Sequence, residues 1–307
     1  MLTPEADIPV DAALVAALIA AQHPDLAGPL KLVADGWDNV IYRLGDDLAV
    51  RVPRRTVAAQ LIANEQAWLP ALAGRLPVAV PVPVRVGAPS DAFPWAWSIV
   101  RWLDGVDGAD VSGAQRDPLA EPLAEFVAAL HIPAPVGSSA TDLLPVPVPH
   151  NPVRGVPLAT REEPVRERIG RLADRHDVAP LVAVWERAVA APLWDGPPIW
   201  LHGDLHPGNL LLSSAEPRRL AAVIDFGDLT AGDPATDLAT AWLTFEPDAR
   251  ARFRTRLQQL APIDDDTWTR AAGWAVSMGT ALAAHSDDNP RMAALGRHAL
   301  TQLAHPA

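Results

Sequence analysis

The sequence predicts an α+β chain of two lobes, a small antiparallel sheet first and a mainly helical half after it. Three observations lead there. Between residues 30 and 103, short runs rich in β-branched and aromatic residues alternate with turns bearing Gly, Pro or Asp, the pattern of strands and tight connections. From residue 118 onward, apolar residues recur every three or four positions, the spacing of helices with one buried face. Inside that helical half lie two apolar runs broken by polar loops, Ile199 to Leu212 and Ala222 to Asp228, where short strands interrupt the helices. The turn signal Asp104-Gly105 marks the expected boundary between an N-lobe of 1–103 and a C-lobe of 104–307.

Taken in order, Asp11 is placed to cap a helix reaching Gln22 and ended by Pro24, with Leu14, Leu18 and Ala21 on its docking face. Leu30 to Ala34, Val40 to Leu44 and Asp47 to Val52 form a meander with turns at Gly36 and Gly45. A helix follows from Ala58 to Leu69, stopped by Pro70. The proline-rich stretch Leu76 to Pro83 is extended, and strands Val84 to Gly87 and Trp95 to Leu103 complete a sheet of five. Pro118 to His131 carries an apolar stripe of Leu119, Leu123, Phe126, Val127 and Leu130. Residues 132–157, rich in Pro, Ser and small side chains, read as a long surface loop, and helices follow over 161–174 and 180–191. After Asp228, Asp233 caps a helix from Leu238 to Phe245, and residues 247–307 give three helices with Trp268, Trp274 and Met278 on apolar faces.

Composition narrows the function. The 307 residues are 49% hydrophobic and 20% charged, an ordinary globular balance. A formal charge of −12 argues against nucleic acid, whose backbone demands a basic stripe. It is compatible with a cationic small substrate, although acidity also serves solubility alone. With no cysteine, disulfides and thiolate zinc sites are excluded. The N-terminus lacks a signal-peptide pattern, and the apolar run from Ala12 to Ala21 is too short to span a bilayer. A cytoplasmic protein without membrane partners is expected.

The two polar loops carry the chemistry. Asp204 lies five positions before Asn209, and Asp225 ends the second block just before Phe226 and Gly227. Two carboxylates and an amide at adjacent strand ends offer the hard oxygen donors that Mg²⁺ takes together with phosphate oxygens. An Asp to receive a hydroxyl proton, with an Asn and an Asp-Phe-Gly on the metal, is the phosphoryl-transfer arrangement of protein kinases. The fold expected is therefore bilobal and protein-kinase-like.

His202-Gly203-Asp204, with Asn209 downstream and Asp225 to Asp228 after it, resembles the catalytic and metal-binding blocks of the aminoglycoside and macrolide phosphotransferase family. That family also includes choline-kinase-like enzymes, and the likeness covers nearly the whole chain. It implies an O-phosphotransferase that moves the γ-phosphoryl of ATP or GTP to a hydroxyl of an aminoglycoside, macrolide or nucleoside type of acceptor. Asp204 would be the base, and Asn209 and Asp225 would hold Mg²⁺. Gly36 to Asn39 would form the phosphate flap, with only one glycine where kinases have several. Arg51 stands where a kinase has its phosphate-pairing Lys, a pattern similar to macrolide-kinase-like branches, and Glu65 would pair with it. Val100 to Leu103 would form the base-binding hinge, with Trp102 beside the base. Asp204, His206 and Asp228 are candidates for acceptor contact, while His131, His202 and Asp237 read as architectural.

Other readings keep a place. A metabolite kinase of choline, homoserine or sugar type shares the same motifs. A protein kinase is disfavoured by the single flap glycine and by the lack of an Ala-Pro-Glu block after Asp225. A catalytically weak nucleotide-binding scaffold is the non-enzyme alternative, kept open by Arg51 in place of Lys.

Overall fold

The computed structural model describes residues 5–135, 147–174, 177–286 and 288–304. Helix α1 (Ala12–Gln22) leads into β1 (Leu30–Asp35), β2 (Asn39–Leu44) and β3 (Leu48–Pro53). Helix α2 (Thr56–Ala73) follows, then β4 (Pro83–Gly87) and β5 (Trp97–Arg101). These strands make one antiparallel sheet in the order β1-β2-β3-β5-β4. Asp11 caps α1 by accepting from the Leu14 backbone at 2.8 Å. The buried face of α1 is Val15, Leu18 and Ile19, and Ala21, expected inside, is exposed. A one-position rotation of the helix puts its larger side chains against Val50, Val52 and Trp97 in the small core.

Helix α2 does not stop at Pro70 but runs on to Ala73. The missing Pro70 N–H costs one helical hydrogen bond, and burial of Leu69 and Leu72 continues the apolar face past it. Those residues and Trp68 belong to the large core, where Trp68 packs 4.9 Å from Trp200 between ring centroids. Helix α2 thus joins the sheet to the helical half and holds Glu65, in its middle, at the seam.

The helical half consists of α3 (Ala120–Leu130), α4 (Glu162–Leu172), α5 (Ala179–Ala190), α6 (Pro247–Leu260), α7 (Asp265–His285) and α8 (Pro290–Ala304). Short strands thread it. Strand β6 (Val106–Asp107) and β9 (Leu220–Val223) flank β8 (Leu210–Leu212), and β7 (Ile199–Leu201) pairs with β10 (Thr230–Gly232), all antiparallel. Neither β6 nor β10 was expected, since two or three residues show no period. The single helix expected over 238–245 is two short ones, Ala235–Leu238 and Thr240–Thr244. Part of the expected 132–157 loop lies outside the described residues; residues 147–157 are irregular as expected, with Pro147, His150, Pro152 and Pro157 exposed, while Asn151 within them is buried and its N–H donates inward to Thr230 Oγ1. Among the described residues no helix is long and apolar enough to cross a membrane.

Candidate active site

Strand β7 delivers the chain to His202, where the backbone leaves the sheet. The His202 and Gly203 N–H groups donate to the two oxygens of Asp237, each at 2.8 Å. Gly203 has φ +86°, and a Cβ there would lie 2.3 Å from the Asp228 carbonyl oxygen, so only glycine allows this turn. His202 accepts from the Asp204 N–H at Nδ1 (3.2 Å) and donates from Nε2 to the Ile224 carbonyl (3.0 Å), which binds the two polar blocks together. Burial would raise the Asp237 pKa, but the hydrogen bonds from the His131 ring at 3.1 Å and from the Gly203 N–H hold it below the usual value.

Asn209 closes the loop. Its amide nitrogen donates to the Asp204 carbonyl at 2.8 Å, and its own carbonyl accepts from Ile224 at 2.9 Å. The amide oxygen is therefore the atom left for a ligand, in an assignment set by the hydrogen-bond network. Asp225 adopts φ +60°, a left-handed conformation that Asp tolerates better than most residues. Its side chain is 57% exposed, and its Oδ1 lies 3.5 Å from Nη2 of Arg51. Arg51 is buried and ion-paired with Glu65. Burial would lower the Arg51 pKa, yet Glu65 and Asp225 raise it, so the guanidinium stays charged.

Above this pair, a cleft of about 640 Å³ is lined by the β1–β2 turn, the end of β5 and the strand ends of the helical half. Of the residues expected at the site, Gly36, Asn39, Arg51, Val100, Trp102, Leu103, Asn209 and Asp225 line it. Glu65 stands behind Arg51. The Asn39 side-chain oxygen and Glu65 Oε1 are buried acceptors without a hydrogen-bond partner among the described residues. Trp102 is held from both sides, its indole donating to Asp104 at 2.8 Å and Arg43 stacked 4.2 Å from the ring centroid. The β1–β2 turn is anchored by Arg54 to Asp35 (2.6 Å) and the Gly36 carbonyl (2.8 Å), and by Arg55 to Asp38 (2.5 Å).

Asp204, His206 and Asp228 are not among the cleft's lining residues and form a second group, joined to it through Asn209. Two residues that the sequence reading missed complete this group. Arg154 donates to Asp204 Oδ1 at 2.9 Å, and Asn151 donates to Asp228 Oδ1 at 2.6 Å. His206 accepts from the Gly208 N–H (3.0 Å) and stands 3.3 Å from Asp204 Oδ2. Asp204 Oδ1 therefore faces the Arg154 guanidinium and Oδ2 the Nε2 side of the His206 ring. Burial would raise its pKa, but His206 and Arg154 outweigh it and keep the carboxylate ionised. Asp228 goes the other way, raised by burial and by the charge of Asp204. Burial and neighbouring charge thus push the two carboxylates of this group in opposite directions. Arg291, also missed, lines the cleft and bridges Asp107 and Asp110, each at 2.6 Å; no local pattern announces it.

A family model described as the phosphotransferase enzyme family matches residues 29–274. No curated protein matches the chain in sequence. Among solved structures, the GDP complex of wild-type aminoglycoside 2'-phosphotransferase-IIIa is 20% identical, with 96% of this chain and 99% of that one covered at a TM-score of 0.65. Macrolide 2'-phosphotransferase type I is 21% identical over 99% and 100% of the two chains, at 0.61. The ADP-bound aminoglycoside phosphotransferase APH(2'')-Ib is 19% identical over 96% and 98%, at 0.58. At these identities the likeness establishes the fold, an antiparallel sheet followed by a helical lobe.

Proposed function

The chain belongs to the phosphotransferase enzyme family, and from that premise we propose that it transfers the γ-phosphoryl group of ATP or GTP to a hydroxyl of a small-molecule acceptor. The observation that carries this reading is the Asn209 amide on the Asp204 carbonyl, which couples the candidate base to the cleft holding Asp225 and Arg51. Solved structures named for aminoglycosides, one with GDP and one with ADP bound, and one named for a macrolide supply the first acceptors and donors to try.

Asp204 receives the acceptor hydroxyl proton. A strongly ionised carboxylate is a weak base, which suits a loose transition state where the proton moves late. The bond between the acceptor oxygen and Pγ forms, the bond from Pγ to the bridging oxygen breaks, and the nucleoside diphosphate leaves. Arg51, fixed by Glu65, pairs the non-transferred phosphates, and Val100 to Leu103 take the base edge. His206 holds Asp204 in place, and Asp228 borders the acceptor. Most of the acceleration comes from position and fixed charge.

The donor set fits Mg²⁺. Asn209 and Asp225 offer hard oxygens on the cleft wall, and among the described residues no three His, Cys, Asp or Glu side chains form a metal site by themselves. Asn209 and Asp225 would hold the ion together with phosphate oxygens of the nucleotide, the sharing usual for Mg²⁺. When bound, Mg²⁺ supplies positive charge to the phosphate oxygens. The test is a panel of aminoglycosides, macrolides, nucleosides and hydroxylated metabolites, each offered with ATP and with GTP and read by acceptor mass. One acceptor gaining a phosphoryl group in the wild type, and none in Asp204→Asn, is the expected result. No transfer to any acceptor, or full transfer by the variant, would overturn the reading.

A further inference from the structure

The turn between β1 and β2 carries a large apolar side chain at its tip. Trp37 is 42% exposed, and its indole makes no hydrogen bond or ring contact among the described residues. Its neighbours are all held. Asp35 and the Gly36 carbonyl take Arg54, Asp38 takes Arg55, and the Gly36 N–H donates to the Asn39 carbonyl at 3.0 Å. The Arg54 N–H also donates to the Asp38 carbonyl, at 2.9 Å, which ties the turn to the end of β3. A turn fixed on both sides of one free side chain presents that side chain as a wall. Val33, 46% exposed, lines the same cleft as Trp37, and apolar groups left open together at a cleft mark a contact surface.

Strand register says which part of the cleft this wall faces. Leu44 of β2 and Arg101 of β5 both pair with Leu48 of β3, in the row nearest the Val100–Leu103 hinge. Ala34, Ile41, Arg51 and Ser98 form a second row, three residues further along β3. At about 3.4 Å per residue, Arg51 lies about 10 Å from the hinge row. Asn39 pairs with Pro53, two residues further still, and Trp37 stands past Asn39 at the tip. A nucleotide with its base at the hinge and its inner phosphates on Arg51 therefore runs toward Trp37. Its terminal phosphoryl group, and not its base or sugar, comes under the indole. Asn209 and Asp225 line the opposite wall of the same cleft.

We propose that Trp37 covers the γ-phosphoryl group and keeps water out of the line of attack. The reaction it suppresses is hydrolysis. There a water oxygen bonds to Pγ, the bond from Pγ to the bridging oxygen breaks, a proton passes to solvent, and phosphate and the nucleoside diphosphate leave. An indole above Pγ displaces that water, and because the turn is already fixed, little freedom is lost when the nucleotide binds. This deepens the phosphotransferase reading and rests on it for the direction of the triphosphate.

The test uses the full chain without any acceptor. Emission of the wild type minus that of Trp37→Phe isolates Trp37 among the eleven tryptophans. With Mg²⁺ present, this difference should change on adding the β,γ-imido analogue of ATP or GTP and stay constant with the matching diphosphate. Trp37→Ala should hydrolyse ATP or GTP at least about fivefold faster than the wild type, as an opened site admits water, and Trp37→Phe should restore most of the protection. An equal response to the triphosphate analogue and the diphosphate overturns the proposal, because it places Trp37 over the sugar or the inner phosphates. Unchanged hydrolysis by Trp37→Ala overturns it too. If calorimetry shows that neither nucleotide binds, the donor site itself fails and the proposal with it. If both bind while the Trp37 readouts stay silent, the proposal fails and the phosphotransferase reading stands.

Discussion

Asp204 sits between the Arg154 guanidinium at 2.9 Å and the His206 ring at 3.3 Å, and that placement decides what it can do. The charges that ionise it also weaken it as a base, so its main contribution is to orient the hydroxyl. Asp204→Asn keeps the shape and the Asn209 bond to the backbone, and steady-state assays should show turnover about 10²–10⁴-fold lower. Glu65 has a different burden. It neutralises a guanidinium that is only 6% exposed, and removing one partner of a buried pair leaves an uncompensated charge. Glu65→Ala should therefore lose about 3–5 kcal/mol in denaturant unfolding and raise the nucleotide KM, because Arg51 loses its fixed rotamer. A variant with wild-type stability would show that Asp225 alone satisfies Arg51.

At the scale of elements, the loop from His202 to Asn209 owes its path to Asp237 beneath it and to Gly203 within it. Gly203→Ala forces a side chain into a left-handed backbone against the Asp228 carbonyl. It should cost at least about 1–3 kcal/mol and reduce activity with it, which thermal unfolding and turnover measured together will check. Much of this loop was legible in the sequence, because Asp204, Asn209 and Asp225 lie close together along the chain between recognisable strands. Arg154 was not. It reaches Asp204 from 50 positions away, out of a stretch whose Pro and Ser content is that of a surface loop, and no periodicity encodes a contact of that range. Pro70 misled for a related reason: its local penalty is real, but tertiary burial of Leu69 and Leu72 outweighs it. The Arg51–Glu65 pair was readable only by analogy, since strand and helix alone do not say which faces meet.

Over the whole molecule, two apolar cores stand on either side of the cleft, with α2 anchored in the larger one and presenting Glu65 to the sheet. The larger core also sets a pH response away from the site. His298 on α8 is pushed down to about 4 by burial and by Arg116, and its Nε2 is buried without a hydrogen-bond partner among the described residues. The unfolded chain binds this proton from about pH 6.5 downward while the folded chain refuses it until about 4. Stability should therefore fall as pH drops through that window, by about 3 kcal/mol from this group, and His298→Gln should flatten the fall in urea titrations at pH 7 and 4.5. The central claim is that Asn209 and Asp225 hold a metal–nucleotide complex while Asp204 serves the transfer and not the binding. Electron paramagnetic resonance of Mn²⁺ with ATP or GTP tests it most directly. Asp204→Asn should bind the Mn²⁺–nucleotide as the wild type does and transfer almost nothing, and Asp225→Asn should lose at least about tenfold in affinity, the scale of losing one charge-assisted contact. Equal binding by wild type and Asp225→Asn would contradict the account.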